Sequence, residues 1–592
     1  MLDARIYRAA LVPVALALIV CAFSLGDRPR PIRTTLAPDQ FSAQRALGDL
    51  DVLARGQQRR PGDGADAAMA ATVADTLRAV GSYQVSTPTF TGETIDGERE
   101  LTTVIARQVG SPGPGVVVVT HRDAPGRGER ARLTGTAAML ELARIVAGGR
   151  LRRTVTFVST SGGSGGAAGA RDLPRRLGDS DVVLVLGDLG GARVRRPLVS
   201  GWSAGRGSAP AQLQRTIETA IRAEATADPG RTHPIVQWVR LAFGGTVGEQ
   251  GPLVEAGLPA VLLSVSGERG PAPGARVVPE RLGTFGRVAL RSVVALDGGP
   301  AIATGTETDL VLVRNVLPGG AVRLLVGSLL LAPVLVIVDG FARVRRRREP
   351  VGPVLRWIAA TALPLVLACA FAVALGLTGL ISAAPPMAVG AAAIPFDAGA
   401  WVAAVAVVLV LVLAWLVARP AVLGTPAARA RRETDLSPSA QATALLAVWC
   451  GLAVGVWAFN PFAAAFFVPA AHTWLLLAAP QVRLGRSVAL GLVLIPLVPM
   501  ALGVAVLAGQ FGFSLSGTGW MVLLGLAGGW IGAMAWLMWS IGLACVAAAL
   551  MLAWRTTART ARPGVGPSIT VRGPTTYAGP GSLGGTESAL RR

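Results

Sequence analysis

Lysine is absent from the 592-residue chain, so all 56 basic residues are arginine. Charge is sparse as well: 15% of residues are charged, against roughly a quarter in an average soluble domain. Histidine occurs three times and cysteine four times. Cys21, Cys369, Cys450 and Cys545 all lie inside apolar runs. The large polar segment therefore has no disulfide framework and no cysteine-based zinc site. The cysteines read as buried residues of membrane helices. The lack of lysine also excludes a P-loop at the glycine-rich "SGGSGGAAGA" (Ser161–Ala170), which has no GK[ST] ending. The net charge of +21 would fit a nucleic-acid partner only if arginines clustered on one soluble face. They do not, and many sit instead at the ends of apolar stretches, so no nucleic-acid partner is expected. A hydrophobic fraction of 52% excludes a disordered chain and argues against a purely soluble enzyme. The arginine-only, Ala- and Gly-rich composition reads as that of a GC-rich bacterial genome.

What is present is long apolar sequence arranged around one polar segment. Arg5 and Arg8 precede an apolar run from Ala9 to about Gly26, read as a signal anchor over 1–26 with a cytoplasmic N-terminus. A cleaved signal peptide is the alternative. The segment 27–320 is polar and mixed. Val116–His121, Thr154–Thr160, Val182–Asp188 and Ala260–Val265 are continuous apolar runs, suited to strands buried on both faces. Thr134–Gly149 and Ala209–Ala225 carry helical spacing between them. This alternation predicts an α/β domain.

From 321 to 555 seven further apolar runs follow: Leu324–Val338, Trp357–Ile381, Trp401–Ala418, Ala442–Phe459, Phe462–Ala479, Val488–Ala508 and Trp520–Trp554. Every second connection is arginine-rich. The positive-inside rule then predicts about eight spans, cytoplasmic termini and an extracytoplasmic polar domain. The last run is too long for one untilted span, and its first half reads as a re-entrant or interfacial piece, or the whole as one strongly tilted helix; two spans there, nine in total, are the alternative. The tail 556–592, rich in Gly, Pro, Ser and Thr, reads as disordered.

Among the histidines, His233 reads as a loop residue. His472, within an apolar run, reads as a neutral imidazole bonded to a neighbouring helix, although an ionisable group in a span is a functional candidate. His121 ends a buried strand and has Asp123 two residues on. That is a place for a metal ligand whose second ring nitrogen a carboxylate can orient.

The ordered blocks "RRPGDGADAAMAATVADTLRAVG", "TTVIARQ", "GVVVVTHRDAPG", "TGTAAMLELARIV", "RTVTFVSTSGGSGGAAGARDL", "VLVLGDLGG" and "VEAGLPAVLLS" together resemble one family. It is the di-zinc exopeptidases typified by aminopeptidase Y and the leucyl aminopeptidases (peptidase family M, number twenty-eight). The resemblance runs from Gln57 to Leu296, about two fifths of the chain. It implies a mixed central sheet flanked by helices, with two zinc ions at the strand ends. Carried over residue by residue, the first His ligand falls on His121, its partner on Asp123, and the Asp ligand after an apolar strand on Asp188. The bridging carboxylate falls on Ala131, the general base on Gly163, the next ligand on Ser164 and the last His on Gln250. Without a bridging carboxylate two zinc ions repel, and Ser and Gln are poor zinc ligands. Loss of the general base removes roughly 100- to 10,000-fold of rate. Zinc is therefore expected at low occupancy or not at all, at a vestigial His121–Asp188 site, and no other cofactor is expected. Glu249, one residue from the last ligand position, is a possible substitute, with Asp123 and Glu129 as further nearby carboxylates.

Three functional readings follow. The first is an inactive exopeptidase-like domain on a membrane anchor that binds a peptide or partner protein. The second is an active membrane-bound metallo-aminopeptidase with a rearranged site. The third is a transporter or envelope-assembly scaffold working through the bundle, whose spans Pro364, Pro469, Pro496 and Pro499 interrupt.

Overall fold

The structure, a computed structural model, describes residues 4–560 except 37, 56–57, 125, 127–128, 150–151, 382–385, 391–395, 425–437 and 478–483. Most of the expected tail over 556–592, and the arginine-bearing segment 425–437, lie outside the described residues.

The polar segment builds a seven-stranded mixed sheet. Its strands are β1 (Gln84–Ser86), β2 (Val104–Gln108), β3 (Ser111–His121), β4 (Arg153–Thr160), β5 (Val182–Leu186), β6 (Val199–Ser200) and β7 (Ala260–Leu263), in the order β1-β2-β4-β3-β5-β7-β6. The four central strands run parallel, while β1, β2 and β6 pair antiparallel at the edges. The centre is parallel because β3 and β5 are apolar at successive positions, as strands covered on both faces must be. Val116–Val119 and Val182–Leu186 are all buried. Pro112 and Pro114 cannot donate ladder hydrogen bonds, and the β3–β4 register is irregular between Ser111 and Val116 for that reason.

Helices α1 (Ala43–Leu53), α2 (Gly64–Val80), α3 (Thr134–Ala147), α4 (Ala211–Glu224), α5 (Pro234–Phe243), α6 (Gln250–Glu255) and α7 (Pro279–Gly298) accompany the sheet. A capping side chain fixes the start of α1 and of α2: Ser42 accepts from the Arg45 amide, Asp63 from the Asp66 amide. The N-terminus of α3 presses on the chain after β5. A Cβ at Gly135 would lie 2.5 Å from the carbonyl oxygens of Leu186 and Gly187, so only glycine fits. In this arrangement the carboxyl ends of β3, β4 and β5 open on one edge, the usual place for a ligand crevice in such sheets.

Among the described residues, seven helices are long and apolar enough to cross a membrane: 5–23, 319–346, 352–377, 398–423, 439–459, 486–511 and 533–555. They favour a multi-pass membrane protein. The sequence reading counts an eighth span over Phe462–Ala479. The structure gives there a shorter piece, Pro461–Leu477, broken by a turn at 465–467. Its start is committed elsewhere: the Asn460 side chain donates to the carbonyls of Leu241 (3.0 Å) and Ala242 (2.9 Å) at the end of α5. The long last run divides into Leu515–Ala527, a short helix, and Ala533–Thr560. The five residues 528–532 separate them, with Gly529 at φ +76°, a conformation that favours glycine.

The α/β domain rests directly on the helices. Phe243 of α5 stacks on Phe466 at 5.5 Å, and the Trp238 indole donates to the Phe462 carbonyl at 3.1 Å. Arg240 lies 4.6 Å over the Phe511 ring, and Arg269 donates to the Gln510 carbonyl at 2.7 Å. Such aromatic and cation–π contacts are each worth roughly 0.5–2 kcal/mol.

Candidate functional site

His121 closes β3 and stands in register with Thr160, the last residue of β4. Thr160 Oγ1 donates to Glu249 Oε1 at 2.5 Å, and Glu249 Oε2 lies 3.4 Å from His121 Nδ1. The ring-orienting carboxylate is thus Glu249, immediately before α6, where the sequence reading puts Asp123. Asp123 is spent on the turn after β4. It accepts from the amides of Gly163 and Ser164, each at 2.9 Å, and from the Ser164 hydroxyl.

This turn explains Gly163. A Cβ there would lie 2.5 Å from His121 Cγ and 2.9 Å from Glu249 Cδ. The position to which the resemblance assigns the general base therefore has no room for a side chain. Ala131 is buried in a short turn, Arg130–Leu133, and offers only its carbonyl, which accepts from Thr134 Oγ1 at 2.6 Å.

Asp188 sits beyond β5 and organises its own loop. It accepts from the amides of Gly190 (3.0 Å) and Gly191 (2.7 Å) and from the Ser266 hydroxyl, with Thr134 Oγ1 3.2 Å away. Burial pushes its pKa above the ordinary carboxylate value, and these hydrogen bonds oppose the shift. Among the described residues, no hydrogen bond or ion pair joins it to His121.

Burial also disfavours charge on His121. Glu249, by hydrogen bond and charge, and Asp123, by charge, outweigh that cost, so the ring titrates above its ordinary value. Its Nε2 is buried without a hydrogen-bond partner, and the one polar side-chain contact of Glu249 Oε2 among the described residues is the 3.4 Å approach to Nδ1.

Gln250 does not join this pair. Its Nε2 donates to Thr246 Oγ1 at 2.9 Å and lies 3.4 Å from Glu268 Oε1. Glu268 in turn accepts from Arg240 at 2.6 Å. Of this network the sequence singles out Gln250 alone; Glu268 and Arg240 are not among its candidate residues. Neither is the buried pair behind the site. Arg122, between His121 and Asp123, is fully buried, with Nε 2.9 Å from Asp66 Oδ1. It also donates to the carbonyls of Ser159 (3.0 Å) and Thr102 (2.7 Å). Arg122 could be suspected from its place between two candidate residues; nothing in the spacing points to Asp66 or Glu268.

The residues present do not fit a zinc pair. Among the described residues no group of three or more His, Cys, Asp or Glu side chains converges as metal ligands. Asp123 and Asp188 spend their oxygens on backbone amides and hydroxyls of their own loops.

No protein-family model matches the chain, and no curated protein does. Among solved structures, the chain is similar to a glutaminyl cyclase from Porphyromonas gingivalis (16% identity, 43% of this chain and 98% of that one, TM-score 0.33). It is also similar to a zinc aminopeptidase from Bacillus subtilis (13% identity, 45% and 98%, TM-score 0.35). LapB from Legionella pneumophila is similar at 14% identity, over 48% and 81%, with TM-score 0.36.

Proposed function

We propose that the α/β domain is an exopeptidase-like scaffold that has lost hydrolytic activity and uses its crevice to bind a peptide or a partner protein, with the helix bundle as its membrane anchor. On this reading the domain is extracytoplasmic and both termini are cytoplasmic, as the arginine distribution of the loops supports. The observation that carries the proposal is the contact of Gly163 with His121 and Glu249. A general base cannot be accommodated at that position without moving the histidine. The engagement of Asp123 and Asp188 in their own loops supports the same conclusion. The test is hydrolysis of aminoacyl substrates by the full chain in detergent, with and without added zinc. Sustained, chelator-sensitive turnover would refute the proposal.

One observation favours a second reading, an enzyme with a rearranged site. His121 Nε2 is buried and unpartnered on a ring whose Nδ1 faces Glu249, and buried polar atoms ordinarily have partners. An active site built on His121 and Glu249 would lose all turnover in both His121→Ala and Glu249→Ala.

A further inference from the structure

Where the chain passes from the first candidate span into the α/β domain and back into the second, it forms a cavity of about 750 Å³. Six arginines line it: Arg28, Arg30, Arg33, Arg215, Arg231 and Arg314. Asp27 is the only acidic residue in the lining. Among the described residues none of the six arginines forms an ion pair. Arg28 Nε is buried without a hydrogen-bond partner. Burial and the charges of Arg231, Arg215 and Arg222 push its guanidinium below the ordinary value, against a pull from Glu218. Glu218 is itself engaged by Arg222 at 3.1 Å.

The cluster is built rather than incidental. Gly26–Asp27 pairs antiparallel with Asn315–Val316, tying the two crossing segments together. The stretch after Arg28 is fastened to α4: the Arg215 guanidinium donates to the Pro29 carbonyl, the Gln212 amide to the Arg30 carbonyl at 3.2 Å, and the Ile32 amide to Thr216 Oγ1 at 3.0 Å. Concentrating like charges costs free energy unless an anion offsets it. Guanidinium groups match phosphate oxygens in pairs.

The location decides which phosphate. The candidate span 5–23 ends four residues before Asp27, and the span 319–346 begins five residues after Arg314. Val313, in the cavity lining, is 68% exposed. A site hemmed in by two membrane entry points, with an exposed apolar residue on its wall, meets lipid headgroups first. We infer that this arginine cavity binds the phosphate headgroup of an anionic phospholipid in the leaflet facing the α/β domain. This site is separate from the crevice at His121 and goes beyond the function proposed above.

The test is retention of phosphatidylglycerol against phosphatidylcholine by the detergent-purified full chain, read by native mass spectrometry. An arginine near an anionic surface contributes roughly fivefold in affinity. The triple variant Arg28→Gln, Arg30→Gln, Arg33→Gln should therefore lose phosphatidylglycerol retention on the order of a hundredfold. Removing equal charge elsewhere on the domain, with Arg99→Gln, Arg107→Gln and Arg175→Gln, should change it little. Arg314→Gln, on an exposed stretch, gives an arm independent of the folding of the triple variant, with a loss of about fivefold. Equal losses in the two triple variants, or no preference of the wild type for phosphatidylglycerol, would overturn the inference. So would binding of inorganic phosphate without a lipid preference, which would mark a site for free anions.

Discussion

Gly163→Ala tests the site at its tightest contact. The added methyl would meet His121 Cγ at 2.5 Å and Glu249 Cδ at 2.9 Å. Neither neighbour is a free-swinging end. His121 closes a strand, and Glu249 is held by Thr160 at 2.5 Å. The mutation must therefore move the turn after β4 or push the imidazole away from Glu249. Overpacking of this kind costs about 1–3 kcal/mol, and in a domain of this size each 1 kcal/mol lowers the melting temperature by roughly 2–4 °C. Thermal melting of the full chain in detergent should show a downward shift of a few degrees. The cause can be isolated with a double-mutant cycle. In a His121→Ala background, where the ring is gone, Gly163→Ala should lose most of its cost. An unchanged melting temperature in Gly163→Ala, or strictly additive effects in the double mutant, would refute the packing argument. The excluded base position would then have no structural support.

Other perturbations have equally definite outcomes. Asp66→Asn leaves the fully buried Arg122 guanidinium without its counter-charge and should destabilise the domain by about 3–5 kcal/mol, read as a lower denaturation midpoint. Asp188→Ala strips the amides of Gly190 and Gly191 of their acceptor. It should cost about 1–3 kcal/mol by the same amount with or without a chelator, whereas a zinc-holding Asp188 would show the loss only in the metal-loaded protein. Arg240→Ala unpairs Glu268 and removes the guanidinium from Phe511. It should loosen the seat of the domain on the helices, seen as faster hydrogen exchange at the end of α5; unchanged exchange there would contradict the contact.

The sheet centre is legible in the sequence because a parallel strand buried on both faces is a continuous apolar run. All four such runs are strands, as Ser111–His121, Arg153–Thr160, Val182–Leu186 and Ala260–Leu263. The helices Thr134–Ala147 and Ala211–Glu224 follow from their spacing in the same way. The short edge strands Gln84–Ser86 and Val199–Ser200 are too brief to carry a period. The membrane count is legible except where apolar residues serve contacts other than lipid: Phe462 and Phe466 face α5, so their hydropathy overstates the span. At the site, the sequence names His121, from the strand end, and Gly163, from the resemblance, but not their mutual contact. It also assigns Asp123 to the histidine because the two are neighbours in sequence. Strand register instead places Glu249 there through Thr160, a pairing across 89 positions that no local pattern encodes.

The proposal that the α/β domain is an exopeptidase-like scaffold without zinc chemistry is tested most directly by the metal content of the full-length protein. Elemental mass spectrometry after zinc incubation and desalting, alongside aminoacyl-substrate cleavage on the same sample, gives the answer. The account predicts no stoichiometric zinc and no cleavage. Close to two zinc ions per chain together with chelator-sensitive cleavage would contradict it.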